Sequence, residues 1–230
     1  MNKERLLIAT SWYSDATIGN MYQHRSKKVL EPNWIRDYWQ PYVERFLIPD
    51  RYFCYISNCD IYPEQDTFDR NWEYVVGYDY AKELDHRHDY HAALMVSLQY
   101  AYANEMDWLN VEQDCLVYGL DKVVQWARDH IVDKMIIFGW KPWCFQTNWA
   151  EQSLMFVPFH SIPSVLYFIN QAMVHINNIG VPEKNWYNLF KNSFVAWPFG
   201  YGRHPVKDWS GDMFYRQQVS DKDIEQFIEL

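Results

Sequence analysis

The first sixty residues alternate between apolar runs and an amphipathic segment, in the order strand, helix, strand. Arg5 to Thr10 is a short apolar run that ends in small residues, as expected of a buried strand leading into a loop. Aromatic and apolar residues then recur at helical spacing between Asn20 and Leu47, with Pro32 as a start signal. Arg51 to Asn58 is a second, β-branched and aromatic run. This order predicts a parallel sheet with a right-handed crossover.

The alternation continues to about residue 140 and then weakens. We expect further strands at 73–78, 108–111, 135–139 and 152–157, and helices at 90–103, 121–130, 164–176 and 183–191. The last forty residues show no clear period and are expected to form an irregular C-terminal arm. No internal repeat or linker divides the sequence. The predicted fold class is therefore α/β, with a mixed, mainly parallel central sheet flanked by helices.

Composition favours one globular domain over residues 1–230 and argues against a nucleic-acid-binding surface. With 49% hydrophobic residues and only 8 Gly and 10 Pro, the chain has enough apolar material for a core. The net charge of -9 offers no general attraction for a phosphate backbone, although a small basic pocket for one anionic ligand stays compatible with it. The 12 Trp residues suit either core filling or stacking on a sugar or base.

Nothing in the sequence predicts secretion or a transmembrane segment. The apolar run near the N-terminus is too short for a signal peptide. The uncharged stretch from Gln152 to Pro182 contains proline and histidine, so we interpret it as core and a buried loop. The predicted location is the cytoplasm. Reduced, buried thiols are expected there, because no C-x-x-C pair occurs among the four cysteines, Cys54, Cys59, Cys115 and Cys144.

Polar residues follow three of the predicted strands, at the end where open α/β sheets bind ligands. They are Thr10 to Trp12, Asn58 to Asp60, and Glu112 to Asp114. In an extended chain Glu112 and Asp114 would point the same way, because side chains alternate along a strand. Two such carboxylates repel each other unless protons or a cation intervene, and divalent ions favour oxygen ligands. The pair predicts a cation site, with a solvated strand end or a helix-capping Asp as the alternatives.

The sequence HRHDYHAALMVSLQYAYANEMDWLNVEQDCLV, residues 86–117, resembles the stretch around the D-x-D motif of GT-A-fold glycosyltransferases, which use nucleotide-sugar donors. In element order the resemblance covers about residues 5–157. It implies a single Rossmann-like GT-A domain. Residues 1–120 would form the nucleotide-sugar-binding half, and residues 121–230 the acceptor-side half with the C-terminal loop.

The resemblance also implies a manganese or magnesium ion that bridges the diphosphate of the donor. Asp114 occupies the position of the family acid that most often touches the metal, and Glu112 would be a second ligand. The motif departs from the family pattern because its first acid is a glutamate and because Gln113 lies between the two acids. Gln113 would then lie against the bound donor.

Further donor-binding positions follow from the same resemblance. Thr10, Ser11 and Trp12 fall where the family's backbone lines the base, and Asp60 falls where an acid often recognises the nucleoside. Ordinary strand-end and turn-forming roles are the alternatives for these residues. Arg87 and His88 lie just before the 90–103 helix, where the family places a basic or polar side chain near the donor. A surface charge cluster is the alternative for these two residues.

The C-terminal loop PFGYGRHPVKDW is a second segment with residues suited to ligand binding or catalysis. Glycines on both sides of Tyr201 allow close backbone approach, and the loop brings Arg203 and His204 together. The resemblance makes Arg203 a phosphate-binding residue and His204 a third metal ligand. A glycine-rich turn held by Arg203 on a surface carboxylate is the alternative.

An inverting sugar transfer requires a carboxylate that takes the proton from the acceptor hydroxyl. Glu151, in the sequence NWAEQSL, is the first candidate, and Glu183 and Asp208 are the others. A solvent-exposed strand-entry position explains Glu151 equally well. A retaining reaction would need no such base.

The sequence therefore predicts a metal-dependent glycosyltransferase that moves a sugar from a nucleoside-diphosphate sugar to a glycan or other hydroxyl acceptor. Four indoles are candidates for shaping the acceptor pocket: Trp140, Trp143, Trp149 and Trp197. One alternative is a sugar-nucleotide nucleotidyltransferase, although residues 10–20 lack the Lys or Arg that such enzymes usually carry after the first strand. The other is a non-catalytic carbohydrate-binding protein. The sugar, the acceptor, the stereochemistry and the oligomeric state are left open.

Overall fold

The computed structural model describes residues 5–13, 25–57, 61–77, 87–143, 147–174, 182–199 and 211–230. Their strands are β1 (Leu6–Trp12), β2 (Arg51–Ile56), β3 (Trp72–Val76), β4 (Asp107–Val111), β5 (Cys115–Tyr118), β6 (Ile136–Trp143), β7 (Thr147–Val157), β8 (Phe194–Ala196) and β9 (Phe214–Gln217). The helices are α1 (Gln40–Glu44), α2 (Arg87–Ala103), α3 (Leu120–His130), α4 (Ile162–Val174), α5 (Pro182–Phe190) and α6 (Asp221–Glu229). A π-helical turn, Ile35–Trp39, leads directly into α1.

Seven of the described strands form one sheet in the order β3-β2-β1-β4-β7-β6-β8. β1 pairs in parallel with β2 on one side and with β4 on the other, and β3 continues the β2 side in parallel. β7 is antiparallel to both of its neighbours, β4 and β6. The chain thus builds outward from β1 to β3 and then returns to the opposite side of β1. This reversal is a topological switch point, and open α/β sheets bind ligands beside such a point at the carboxyl ends of the strands.

The central strands are buried on both faces, which explains the continuous apolar run of β1. Leu6 and Ile8 belong to the core covered by α1, α3 and α6. Leu7 and Ala9 belong to the core covered by α2, α4 and α5. Because successive side chains of a strand point to opposite faces, a strand covered on both sides has no polar face. A slip of one residue in β1 would exchange the contents of both cores, so its register is strongly specified.

The structure confirms the α/β class and the mixed, mainly parallel sheet flanked by helices. The helix predicted between Asn20 and Leu47 is shorter than expected within the described part of the chain. Lys27–Leu30 is a 3-10 turn, and helical structure resumes at Ile35 after a turn at Pro32. Residues 14–24 lie outside the described residues.

The C-terminal arm contains more regular structure than the sequence predicted, and the expectation of an irregular arm is corrected here. β8 pairs in parallel with β6, and β9 pairs antiparallel with β5. Strands of three and four residues are too short to show a period. α6 did carry a readable signal, because Ser220 and Asp223 form a capping box before the buried Ile224 and Phe227.

No helix within the described ranges is long and apolar enough to cross a bilayer. Cys54 and Cys115 are buried thiols outside any disulfide, as predicted. Burial raises the pKa of the Cys115 thiol well above its usual value, and the Glu112 carboxylate raises it further. This thiol is therefore protonated at neutral pH. Cys59 and Cys144 lie outside the described residues.

Gly119, between β5 and α3, provides a test of this fold. Its φ is +67°, and a Cβ there would clash with the carbonyl oxygen of Asp212. We expect Gly119→Ala to lower the free energy of unfolding by about 1–3 kcal/mol or more, measured by denaturant titration, because a left-handed backbone strains any side chain. Gly211→Ala is the matched control, since a Cβ at Gly211 would meet only the Phe214 ring at 3.9 Å. Equal stabilities of the two variants would contradict the left-handed conformation of Gly119 and its close contact with Asp212.

Candidate active site

The acidic motif forms a tight turn at the carboxyl end of β4, beside the switch point. β4 ends one residue before Glu112, and the amide of Cys115 donates to the Glu112 carbonyl oxygen at 2.9 Å. The prediction that Glu112 and Asp114 extend from one straight strand to the same side is therefore wrong. The turn sends the two side chains to different partners. Glu112 accepts a hydrogen bond from Gln217 at 2.7 Å, and Asp114 accepts one from Arg25 at 3.2 Å.

Gln113 is completely buried and joins this turn to the end of β1. Its Oε1 accepts from the Tyr13 amide at 2.8 Å, and its Nε2 donates to the Tyr13 carbonyl at 3.1 Å. Nε2 also donates to the Val29 carbonyl at 3.0 Å. The side-chain amide therefore replaces a backbone pairing between the segments that follow β1 and β4. Gln113 was predicted to lie against the donor, and its described contacts instead give it a positioning role.

Two buried tryptophans hold the carbonyl groups of the same turn. Trp34 Nε1 donates to the Gln113 carbonyl at 2.7 Å, and Trp39 Nε1 donates to the Glu112 carbonyl at 3.3 Å. Between them lies the π-helical turn, whose i to i+5 bonding brings residues five positions apart towards the same side. In an α-helix the neighbours on one face are three and four apart, so this pair of indoles would diverge. The π-helical turn therefore aims both indoles at the motif.

Arg25 forms a buried ion pair with Asp114. Arg25 Nη1 lies 3.2 Å from Asp114 Oδ2, and the two side chains are only 3% and 2% exposed. The same nitrogen donates to the Tyr13 hydroxyl at 3.1 Å, and the guanidinium lies over the Tyr13 ring at 5.5 Å from its centroid. Burial alone would lower the pKa of Arg25, but Tyr13 and Asp114 raise it overall. The guanidinium therefore keeps its charge at any ordinary pH.

Glu151 lies on β7 next to the turn. The Ser153 carbonyl accepts from the Glu112 amide at 3.0 Å, and the Ser153 hydroxyl donates to Glu151 Oε1 at 2.5 Å. Burial raises the pKa of the Tyr215 hydroxyl well above its usual value, and Glu151 and Glu112 raise it further. Both carboxylates therefore lie within electrostatic reach of one hydroxyl. The pairing of β6 with β7 shifts register beside Gly139, opposite Glu151, and bulges of this kind often re-aim side chains near active sites.

The residues predicted at the end of β1 lie beside this turn. Thr10 is buried and Ser11 half-buried. Trp12 is fully buried, and its Nε1 donates to the Ile61 carbonyl at 3.0 Å. Its own carbonyl accepts from the Ser57 amide at 2.9 Å. The Trp12 indole therefore fills the core, and Ser11 is the most accessible of the three.

Other predicted site residues are described only in part or not at all. Those outside the described residues are Asp60, Arg203, His204 and Asp208. Those whose backbone alone is described lie in the first turns of α2 and α5: Arg87, His88 and Glu183. The same holds for three indoles on β6 and β7: Trp140, Trp143 and Trp149. Their roles stay predictions.

Trp197, predicted as a stacking residue, belongs to the core instead. It is 6% exposed, and its Nε1 donates to the Leu154 carbonyl at 2.8 Å. Its ring packs against Trp126 and Phe199, with centroids 5.6 and 5.3 Å away. A sugar cannot reach a face that is already covered. The prediction of an acceptor-stacking role for Trp197 is therefore corrected.

At Asp114 Oδ2 the described residues already provide a cation, Arg25. No three of the His, Cys, Asp and Glu side chains in these ranges are grouped to hold a metal. The Arg25 guanidinium lies where a cation would approach Asp114 Oδ2, and like charges at that distance repel. Glu112 is turned to Gln217. Of the three predicted ligands of manganese or magnesium, Asp114, Glu112 and His204, the third lies outside the described residues.

No protein-family model and no curated protein matches the sequence. Solved structures do match. One is a glycosyltransferase involved in the glycosylation of the major capsid of PBCV-1, with a TM-score of 0.55 and 10% identity over 98% of this chain and 100% of that chain. Another is the galactosyltransferase LgtC in complex with donor and acceptor sugar analogues, with a TM-score of 0.54 and 9% identity over 97% of this chain and 94% of that one. The chain has the GT-A fold.

The GT-A fold is not tied to one activity among these structures. A 4-diphosphocytidyl-2C-methyl-D-erythritol synthase from Anaerococcus prevotii matches with a TM-score of 0.52 and 9% identity over 97% of this chain and 94% of that chain. Likeness at this level of identity establishes the fold alone. The function must therefore be argued from the residues of the site.

Three residues that shape the site were not predicted from the sequence: Arg25, Trp34 and Trp39. Arg25 lies beyond residues 10–20, and nothing in the sequence around it indicates that it pairs with Asp114. The two indoles were interpreted as part of a helical core face.

Replacing Gln113 tests whether it holds the turn. We expect Gln113→Leu to lower the free energy of unfolding by about 2–4 kcal/mol, because backbone groups of Tyr13 and Val29 would lose their partner and each buried unsatisfied group costs about 1–3 kcal/mol. Gln125→Leu, on the exposed face of α3, is the matched control and should change stability by about 0.5 kcal/mol or less. Denaturant unfolding measures both. A Gln113→Leu variant as stable as the control would show that the amide does not support the turn.

Proposed function

We propose that this protein is a glycosyltransferase that moves a sugar from a nucleoside-diphosphate sugar to an acceptor hydroxyl. The observation that carries the proposal is the buried Glu112–Asp114 turn at the carboxyl ends of β1 and β4. In the GT-A fold this is the switch point, where open α/β sheets bind ligands. Charged groups are concentrated there, since Arg25 pairs with Asp114 and Glu151 is linked to the turn through Ser153.

The reaction forms a bond between the acceptor oxygen and the anomeric carbon. It breaks the bond between that carbon and the phosphate oxygen, and the nucleoside diphosphate leaves with the electron pair. In an inverting transfer Glu151 would take the proton of the acceptor hydroxyl, and Ser153 would orient its carboxylate. Positive charge near the leaving diphosphate would stabilise the transition state. Arg25 is a buried cation at this edge of the sheet.

The donor and acceptor are proposed by chemical class. A nucleoside diphosphate would lie against the end of β1, where Ser11 is the accessible predicted residue, and Asp60, Arg87, His88 and Arg203 stay candidates for contacts with it. The LgtC complex, on the same fold, holds donor and acceptor sugar analogues, which supports a nucleotide sugar and a glycan as partners here. Manganese or magnesium stays a prediction from the motif, and no step above passes through it. A cytoplasmic location likewise stays a prediction.

A nucleotidyltransferase is the second candidate function. The Anaerococcus synthase has the same fold, and Arg25 supplies a cation from the segment after β1, although residues 10–20 lack one. The two activities differ in their substrates. A nucleotidyltransferase would release pyrophosphate from a nucleoside triphosphate and a sugar phosphate, whereas a glycosyltransferase would release a nucleoside diphosphate from a nucleotide sugar.

Nucleotide binding and donor turnover test the proposal together. We expect UDP, GDP, CDP or ADP to raise the melting temperature by about 5–10 °C at roughly 100 times its dissociation constant, because a ligand of the native state adds about 2.7 kcal/mol there. The matching nucleotide sugar should be hydrolysed or transferred. Glu151→Gln should keep the nucleotide shift and lower the turnover number by about 10²–10⁴-fold, since only the proton acceptor is lost.

Glu225→Gln, on the exposed face of α6, is the matched control and should behave as wild type. Full turnover in Glu151→Gln would remove its role as the base. Binding of no nucleotide, with or without manganese, would contradict the proposed function. Release of pyrophosphate from a nucleoside triphosphate and a sugar phosphate, without turnover of any nucleotide sugar, would favour the second candidate.

A further inference from the structure

The ion pair between Arg25 and Asp114 lies at the acidic motif, where the resemblance to glycosyltransferases predicts a metal. In this turn Asp114 is the acid expected to contact a divalent ion. Its Oδ2 instead lies 3.2 Å from Arg25 Nη1, and both side chains are almost completely buried. A fixed cation of the chain is thus present where a metal cation was expected.

Backbone hydrogen bonds through Val219 join Asp114 to Ser26, the residue that follows Arg25. The amide of Val219 donates to the Asp114 carbonyl at 3.4 Å. The carbonyl of the same residue accepts from the Ser26 amide at 2.8 Å. The Ser26 hydroxyl also donates to Asp221 at 2.5 Å. Arg25 is therefore presented to Asp114 by a segment that is tied to the same strand end as Asp114 itself.

Tyr13 contacts both partners of the pair. Its hydroxyl accepts from Arg25 at 3.1 Å and lies 3.5 Å from Asp114 Oδ2, and its ring lies beneath the guanidinium. Gln113 fixes the backbone of Tyr13 through two hydrogen bonds. The surroundings of Arg25 therefore suit a planar, permanently charged guanidinium, which forms directed hydrogen bonds and stacks on aromatic rings.

We propose that Arg25 serves as the cation of this active site in place of a divalent metal. It neutralises Asp114, so that a diphosphate can approach the turn and develop negative charge there without repulsion from that carboxylate. This inference rests on the proposed function and deepens it. It replaces the metal expected from the motif, because a divalent ion at Asp114 Oδ2 would have to displace a buried guanidinium.

The wild-type protein allows a direct test with UDP and GDP as probes. Thermal unfolding and calorimetric titration are carried out with EDTA and, separately, with manganese. We expect the better of the two nucleotides to bind with the same affinity in both conditions. Manganese alone should give no melting shift and should stay free in an electron paramagnetic resonance titration. Nucleotide binding that is lost in EDTA and restored by manganese would overturn the role of Arg25 while leaving the proposed function intact.

Variants of Arg25 separate a charge role from a structural one. Arg25→Gln leaves the Asp114 carboxylate without its cation, so we expect it to bind manganese and to need it for nucleotide binding. Its turnover in EDTA should fall about 10²–10³-fold, as for loss of one electrostatic donor in a site. Arg25→Lys should recover part of the metal-independent binding. Lys122→Gln is the matched control, since Lys122 also pairs with a carboxylate but at the surface, and it should behave as wild type.

A double variant covers the case in which Arg25→Gln fails to fold. Arg25→Met combined with Asp114→Leu replaces a buried ion pair by apolar side chains, a change that proteins often tolerate. It should fold, lose nucleotide binding in EDTA and gain nothing from manganese. Wild-type nucleotide affinity in this variant would overturn the proposal. Failure of the wild type to bind any of UDP, GDP, CDP and ADP in either condition would overturn the proposed function and the role of Arg25 with it.

Discussion

Arg25 and Asp114 are both withdrawn from water, and this ion pair constrains the whole site. Removing one partner of such a pair typically destabilises a protein by about 3–5 kcal/mol, because the other charge is left buried alone. Three distant segments must therefore meet: the one after β1, the turn after β4 and the one before α6. Val219 joins them, since it bonds to the backbone of both Asp114 and Ser26. The sheet order makes this meeting possible by placing β1 beside β4.

Several of the aromatic residues help to hold the turn and the ion pair in place. Trp34 and Trp39 hold carbonyls of the turn, and Tyr13 lies beneath the guanidinium. A buried indole needs an acceptor for its one N–H group, and the carbonyl groups of a turn that lack a backbone partner can accept that hydrogen bond. The same solution recurs in Trp12, which donates to the Ile61 carbonyl, and in Trp197, which donates to the Leu154 carbonyl. Among the described tryptophans, these indoles act as core residues with a polar anchor, and stacking on a ligand is not their role.

The sheet could be predicted from the sequence, whereas the contacts within the site could not. The apolar run at Arg5 to Thr10 indicated a strand because burial on both faces removes polar positions. The acidic motif was correctly placed after a strand, but its turn was not predicted. The spacing of apolar residues does not show that the chain turns at Glu112. Arg25 was missed because its partner lies 89 positions away, and long-range pairing of side chains leaves no local pattern.

A crystal structure grown with UDP or GDP and manganese tests the central claim most directly, because manganese is identified by its anomalous scattering. The account predicts a diphosphate beside the Glu112–Asp114 turn, Arg25 still paired with Asp114, and no anomalous peak at that carboxylate. A manganese peak on Asp114 with the Arg25 side chain displaced would contradict it.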